Sequence, residues 1–143
     1  MPKSIDHIGI AVHSIEQSLR LYEALLGLKA ERIEEVPEQK TRVAVLPLGQ
    51  GRLELLESLA EDSPVASFIA RRGQGLHHIC IRVDDLAAEL RRLRTAGVRL
   101  IDETPLRGAS GCLIAFVHPE SAAGVLVELS QAKVDTHNST SRE

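Results

Sequence analysis

Apolar and polar positions alternate strictly in "DHIGIAV" (residues 6–12), and the same alternation returns in "HHICIRV" (residues 77–83). A period of two predicts two β-strands. In the first, Ile8, Ile10 and Val12 share one face and His7, Gly9 and Ala11 the other. In the second, Ile79, Ile81 and Val83 oppose His78, Cys80 and Arg82. The aliphatic face is suited to packing under a helix, and the small or polar face to lining a cavity. By the same alternation His77 points away from His78.

After each strand the period lengthens to that of a helix. Ser14 is placed to cap a segment carrying Ile15, Leu19, Tyr22 and Leu26 at helical spacing, with Gly27 as its stop. Asp84 or Asp85 caps the equivalent segment, with Leu86, Leu90 and Leu93 on its stripe and Gly97 beyond. Strand-like runs follow at 41–49 and 51–58, and again at 111–119 and 124–130. Each copy reads as strand, helix, then about three strands: module one at about 5–58 and module two at about 75–131. A linker at about 59–74 carries a short helix from Ser63, and a polar tail spans 132–143. A length of 143 residues suits one domain built from the two modules, of α+β class.

The repeat extends to chemistry. His7 and His78 stand 71 positions apart, and Glu54 and Glu128, each alternating with leucine or valine on a late strand, stand 74 apart. The three additional residues fit a longer turn in "HPESAAG" than in "PLGQG". A carboxylate on a buried strand face is costly unless it is paired or metal-bound. Two modules facing each other would bring two imidazoles and two carboxylates together, a mixed N/O set suited to a divalent first-row metal. One histidine alone is more often an ordinary core or surface residue; the matched offsets reverse that reading.

Other residues are less telling. His77 reads as structural or as orienting a ligand. His13 and His137 read as solvated, and His118 sits in a turn open to substrate contact. Glu38 belongs to an acidic run that alone suggests a solvated face. The turn Gly108, Ala109, Ser110, Gly111 could present backbone N–H groups to a phosphate or be merely flexible. Arg91 and Arg94 read as an exposed helix face. Cys80 and Cys112 read as reduced thiols, with no basic partner to make either a nucleophile.

Composition removes several classes. A net charge of −3 and only three aromatic side chains disfavour nucleic-acid binding. Apolar runs fall far short of the ~20 residues of a membrane span, so no membrane association is expected. The first residues, "MPKSIDHI", carry no apolar signal region, which points to the cytoplasm.

These motifs resemble the vicinal oxygen chelate (glyoxalase/bleomycin-resistance/dioxygenase) superfamily, whose members pair βαβββ modules. Within it, "DHIGIAV", "EEVPEQ", "LELLES", "GLHHICIRVDD" and "FVHPESAAGVLVELSQ" are similar to the methylmalonyl-CoA epimerase family, over roughly Ile5 to Gln131. The resemblance implies a barrel-like mixed sheet lining a cleft, with helices outside. It implies metal ligands at His7, Glu54, His78 and Glu128, and a base at Glu38 opposite Glu128. It implies a divalent ion, cobalt by preference, with manganese, nickel or zinc as alternatives. An acyl-CoA substrate and a homodimer are implied as well. Glu54 stands where relatives can carry glutamine, lysine follows "EQ" where glycine is frequent, and "HPE" replaces a frequent "HPK".

The implied reaction is inversion at the α-carbon of methylmalonyl-CoA. A divalent cation can stabilise negative charge on the thioester oxygen. Inversion needs acid/base groups on both faces, for which Glu38 and Glu128 are the candidates. A glyoxalase-like lyase shares the four ligands, but Glu38 and the "HPESAAGVLVEL" segment argue against it. A non-catalytic binding or resistance module usually lacks the full ligand set. A ring-cleaving dioxygenase uses two histidines and one carboxylate, one ligand fewer than this chain offers.

Overall fold

The computed structural model describes residues 2–133; His137 and the tail beyond residue 133 lie outside the described residues. The chain runs β1 (Pro2–Ala11), α1 (Ile15–Leu26), β2 (Arg32–Val36), β3 (Thr41–Leu48), β4 (Gly51–Ser58), α2 (Pro64–Arg72), β5 (Gly75–Val83), α3 (Leu86–Thr95), β6 (Leu106–Arg107), β7 (Leu113–Val117) and β8 (Val127–Gln131). All eight strands join one mixed sheet in the order β2-β3-β4-β1-β5-β8-β7-β6. The sheet curls into a half-barrel of α+β class. Its seam is the antiparallel β1–β5 pair, where the two alternating segments lie side by side.

The helix ends follow from local chemistry. Ser14, Ser63 and Asp85 each accept a backbone N–H of the first turn, from Gln17, Ala66 and Ala88. Gly27 ends α1 in the left-handed region at φ 70°, which costs glycine nothing. The second strand of each module is an edge strand that no apolar run announced. In β2, Glu34 and Glu35 interrupt the pattern, and β6 is two residues long.

Alternation then divides the core. Ile10, Val12, Ala44, Leu46 and Leu55 meet Ile15, Leu19 and Tyr22 of α1 on the outer face. Val83, Ala115, Val117 and Leu129 meet Leu86 and Leu90 of α3. Leu56, Val43 and Val45 instead turn inward with Ala11 and pack against Val65 and Phe68. The linker helix α2 thus closes one end of the concave side.

Candidate active site

The concave side encloses a cleft of about 1250 Å³, walled by both modules. Four strands deliver the four repeated residues to it: His7 from β1, Glu54 from β4, His78 from β5 and Glu128 from β8. Each is only 5–6% exposed. His7 Nε2 lies 3.0 Å from His78 Nε2 and 3.1 Å from Glu128 Oε1, and His78 Nε2 lies 3.6 Å from the same oxygen. Glu54 Oε2 reaches His7 on its other nitrogen, Nδ1, at 3.1 Å. His7, His78 and Glu128 therefore form a compact donor trio, with donor atoms within 4.8 Å of one another, and Glu54 flanks it. Two imidazole nitrogens and a carboxylate, buried and convergent, fit a divalent first-row ion, and a fourth oxygen stands beside them.

The alternation expected of the two histidine strands fails at one residue in each, for the same reason. In the β1–β5 pairing Ile5 faces Ile81 and His7 faces Cys80, so Asp6 is an extra residue. Further along, Gly9 faces His78 and Ile10 faces Leu76, so His77 is an extra residue. A β-bulge turns the strand locally and re-aims its side chains. Asp6 and His77, 71 positions apart like the histidines, consequently reach the same side as the residue that follows. His77, expected on the opposite face from His78, is corrected by this bulge. His7 Nδ1 donates to Asp6 Oδ2 at 2.8 Å, and His78 Nδ1 lies 2.8 Å from His77 Nδ1. In both halves the preceding residue occupies Nδ1, leaving Nε2 to face the centre. Gly9 supplies the room: a Cβ there would lie 2.2 Å from His78 Cε1.

The electrostatics of His7 and His77 differ. Burial alone would depress His7, but its bonds to Asp6 and Glu128 and the charge of Glu54 raise its pKa to about 9. His77 is lowered to about 4 by burial and by His78, so it is neutral at pH 7. Burial raises Glu54, partly opposed by the charge of His7. Burial would also raise Glu128, but its hydrogen bonds to His7 and His78 hold it far below the ordinary carboxylate range. Cys80 is fully buried and its thiol is pushed well up by burial and by Glu128, so it remains protonated.

Glu38 lies on the exposed Pro37–Gln39 turn and lines the same cleft. The turn closes with Lys40 at φ 53°, a left-handed position that glycine would adopt at less cost. Lys40 is held by an ion pair with Asp62 and by the Leu59 N–H donating to its carbonyl. Beside it, Gln39 Nε2 is buried without a hydrogen-bond partner, a donor available to a ligand that the sequence marked only as part of "EQ". Of the second loop, Ala109 and Ser110 line the cleft. The Ser110 N–H is already spent on Glu34 at 3.2 Å, tying module two to the edge of module one. Gly108 lies under this loop, where a Cβ would meet Ile114 at 2.8 Å, and Gly111 turns outward at φ 73°. His118 borders the cleft, its Nδ1 accepting the Glu120 N–H.

A family model for the Glyoxalase/Bleomycin resistance protein/Dioxygenase superfamily matches residues 6–116. The mitochondrial methylmalonyl-CoA epimerase of Homo sapiens is 37% identical over 129 residues, 90% of this chain and 73% of that protein. The chain belongs to the methylmalonyl-CoA epimerase family. The uncharacterized protein YqjC of Bacillus subtilis (strain 168) is 48% identical over 134 residues, 94% of this chain and 96% of that one. A solved structure of a Streptomyces coelicolor methylmalonyl-CoA epimerase variant, in complex with 2-nitronate-propionyl-CoA, superposes with a TM-score of 0.90 at 36% identity. It covers 94% of this chain and 97% of that one. Within this epimerase family fold, Asp6, Arg52 and Arg82 form a further cluster on the cleft wall that the repeat did not signal.

Proposed function

We propose that this protein is a divalent-metal-dependent epimerase that inverts the α-carbon of methylmalonyl-CoA by proton transfer from one face and to the other. By family it is an isomerase of the epimerase type. The observation that carries the finer reading is the convergence of His7, His78 and Glu128 in a cleft that Glu38 also lines. His7, His78, Glu128 and Glu54 are the residues proposed to hold the ion, with cobalt favoured by the sequence resemblance. A bound divalent ion supplies Lewis-acid stabilisation of negative charge on the thioester oxygen.

The chain's own residues do the rest. Asp6 and His77 hold the imidazoles at Nδ1 and fix their direction. Glu38 removes or returns the α-proton on one face, and Glu128, ionised and buried, serves the other. Gln39 Nε2, Ala109 and His118, which line the cleft, are the residues proposed to contact the acyl-CoA. α2 narrows the cleft and limits water around the reacting carbon. Holding the α-carbon between two placed carboxylates spares the entropy of bringing base and substrate together.

No helix among the described residues is long and apolar enough to cross a membrane. A cytoplasmic homodimer is proposed; on α1, Leu21 and Leu25 remain 67% and 72% exposed, apolar surface that a second subunit could cover. Sedimentation analysis tests the dimer. The reaction is tested by incubating protein, divalent ion and methylmalonyl-CoA in deuterated water. Deuterium should enter the α-carbon with inversion of configuration. Unlabelled, uninverted substrate after prolonged incubation with metal-loaded protein would reject the reading.

A further inference from the structure

The wall of the cleft beside His7 carries an unusual concentration of charge. Asp6 lies on β1, between β4 and β5 in the sheet, and each neighbouring strand sends an arginine to it. Arg52 Nη2 donates to Asp6 Oδ2 and Arg82 Nη2 to Asp6 Oδ1, both at 2.5 Å. Arg52 Nη2 also reaches Glu54 Oε2 at 3.5 Å. Neither guanidinium is saturated by these bonds. The Nε donors of both are buried with no hydrogen-bond partner, while the side chains, 27% and 34% exposed, line the cleft.

Counting charge shows what the pair changes. Asp6, Glu54 and Glu128 place three carboxylates around one buried centre. A divalent ion would offset two of these charges. The centre would then stay negative, and an acyl group bearing its own carboxylate would be repelled. Arg52 and Arg82 add two positive charges, enough to reverse the balance. Arginine suits this place because it stays charged when partly buried and presents a fork of donors matched to carboxylate geometry.

We propose that Arg52 and Arg82 are specificity-determining residues, which let this carboxylate-rich cleft accept an acyl thioester carrying a free carboxylate in preference to an uncharged one. The inference rests on the epimerase reading, and it assigns the recognition of the acyl carboxylate to this wall of the cleft.

The test compares binding of methylmalonyl-CoA with that of propionyl-CoA, which lacks the second carboxylate, by calorimetry with cobalt-loaded protein. Wild type should prefer methylmalonyl-CoA. Arg82→Gln and Arg52→Gln should each weaken methylmalonyl-CoA by about 10-fold, equivalent to about 1.4 kcal/mol, and leave propionyl-CoA unmoved. Arg82→Lys should recover most of the preference. Cobalt affinity, measured separately, should hold or rise in both glutamine variants, because a competing positive charge has gone. A purely structural role in bracing Asp6 would instead lower cobalt affinity and affect both thioesters alike, which overturns the proposal. Wild type that binds both thioesters equally, or neither, defeats the epimerase reading and this inference with it. Wild type that prefers methylmalonyl-CoA, with variants that keep the full preference, defeats this inference alone.

Discussion

A divalent ion that takes His7 must displace a proton, and the site makes that proton hard to remove. His7 is raised from 6.5 to about 9 because Asp6 and Glu128 accept from its two nitrogens and Glu54 adds its charge. At pH 7 the ring lies two units below that value, so about 1% is neutral and apparent metal affinity should be about 100-fold weaker than the intrinsic one. An ordinary histidine would impose almost no penalty at that pH. Affinity should therefore climb about tenfold per pH unit between 7 and 9, and near pH 7.5 each ion should release about one proton. Calorimetric cobalt titrations at pH 6.5, 7.5 and 8.5, in buffers of different ionisation enthalpy, read both quantities. The metal-free protein supplies the matching sign. A folded-state pKa above the unfolded one stabilises fully below the unfolded value of 6.5 and loses that contribution as pH rises through about 9. The span corresponds to about 3 kcal/mol, so the melting temperature of the metal-free protein should fall between pH 7 and 9. Metal affinity that levels off above pH 7, with negligible proton release, would refute the assignment of a strongly held proton to His7.

Glu38→Gln should retain metal content and fold while slowing turnover by ~10²–10⁴-fold, and it should still exchange the α-proton of one epimer with solvent; full epimerase activity would return Glu38 to a solvated acid. Gly9→Ala drives a methyl group into the His78 ring, so it should lower cobalt affinity more than thermal stability; unchanged affinity would show that His78 can move without cost. Cys80→Ser should keep most activity, since the buried thiol stays protonated, and an inactive variant that still loads metal would contradict this. Leu90→Ala, at a residue 2% exposed between α3 and the sheet, should cost ~2–5 kcal/mol in chemical denaturation, with metal affinity per folded molecule unchanged.

Much of the fold was legible because its signals are local. Ser14, Ser63 and Asp85 announce helix starts through side-chain oxygens, and the Ile8/Ile10/Val12 alternation announces a strand with one covered face. The edge strands were not legible. β2 is held by backbone pairing to β3 and by the Glu34–Ser110 contacts, and neither leaves an apolar pattern in its own sequence. Asp6, Arg52 and Arg82 were equally hidden. Their meeting depends on β1 lying between β4 and β5, a relation of topology that spacing along the chain does not carry. Gln39 was visible only as a neighbour of Glu38, and its unpartnered amide arises from burial in the assembled cleft.

The two bulges bear most directly on how the duplicated modules differ. Period-two alternation would put Asp6 and His77 behind the sheet, leaving Nδ1 of each active-site histidine without its neighbour. The inserted residue in each strand brings them forward, and because both insertions fall immediately before the histidine, the paired strands present their Nε2 atoms to each other at 3.0 Å. The geometry is thus duplicated, but the partner is not. Asp6 is a carboxylate held ionised: burial would raise it, and the bond from His7 with the charges of Arg52 and Arg82 brings it below the usual range. His77 is a neutral imidazole packed against Phe68 at 4.9 Å between ring centres. An ionised acceptor, which Asp6 supplies, favours the proton on His7. The two halves of the repeat therefore match in position and differ in chemistry, and the difference originates in the single residue that each bulge inserts.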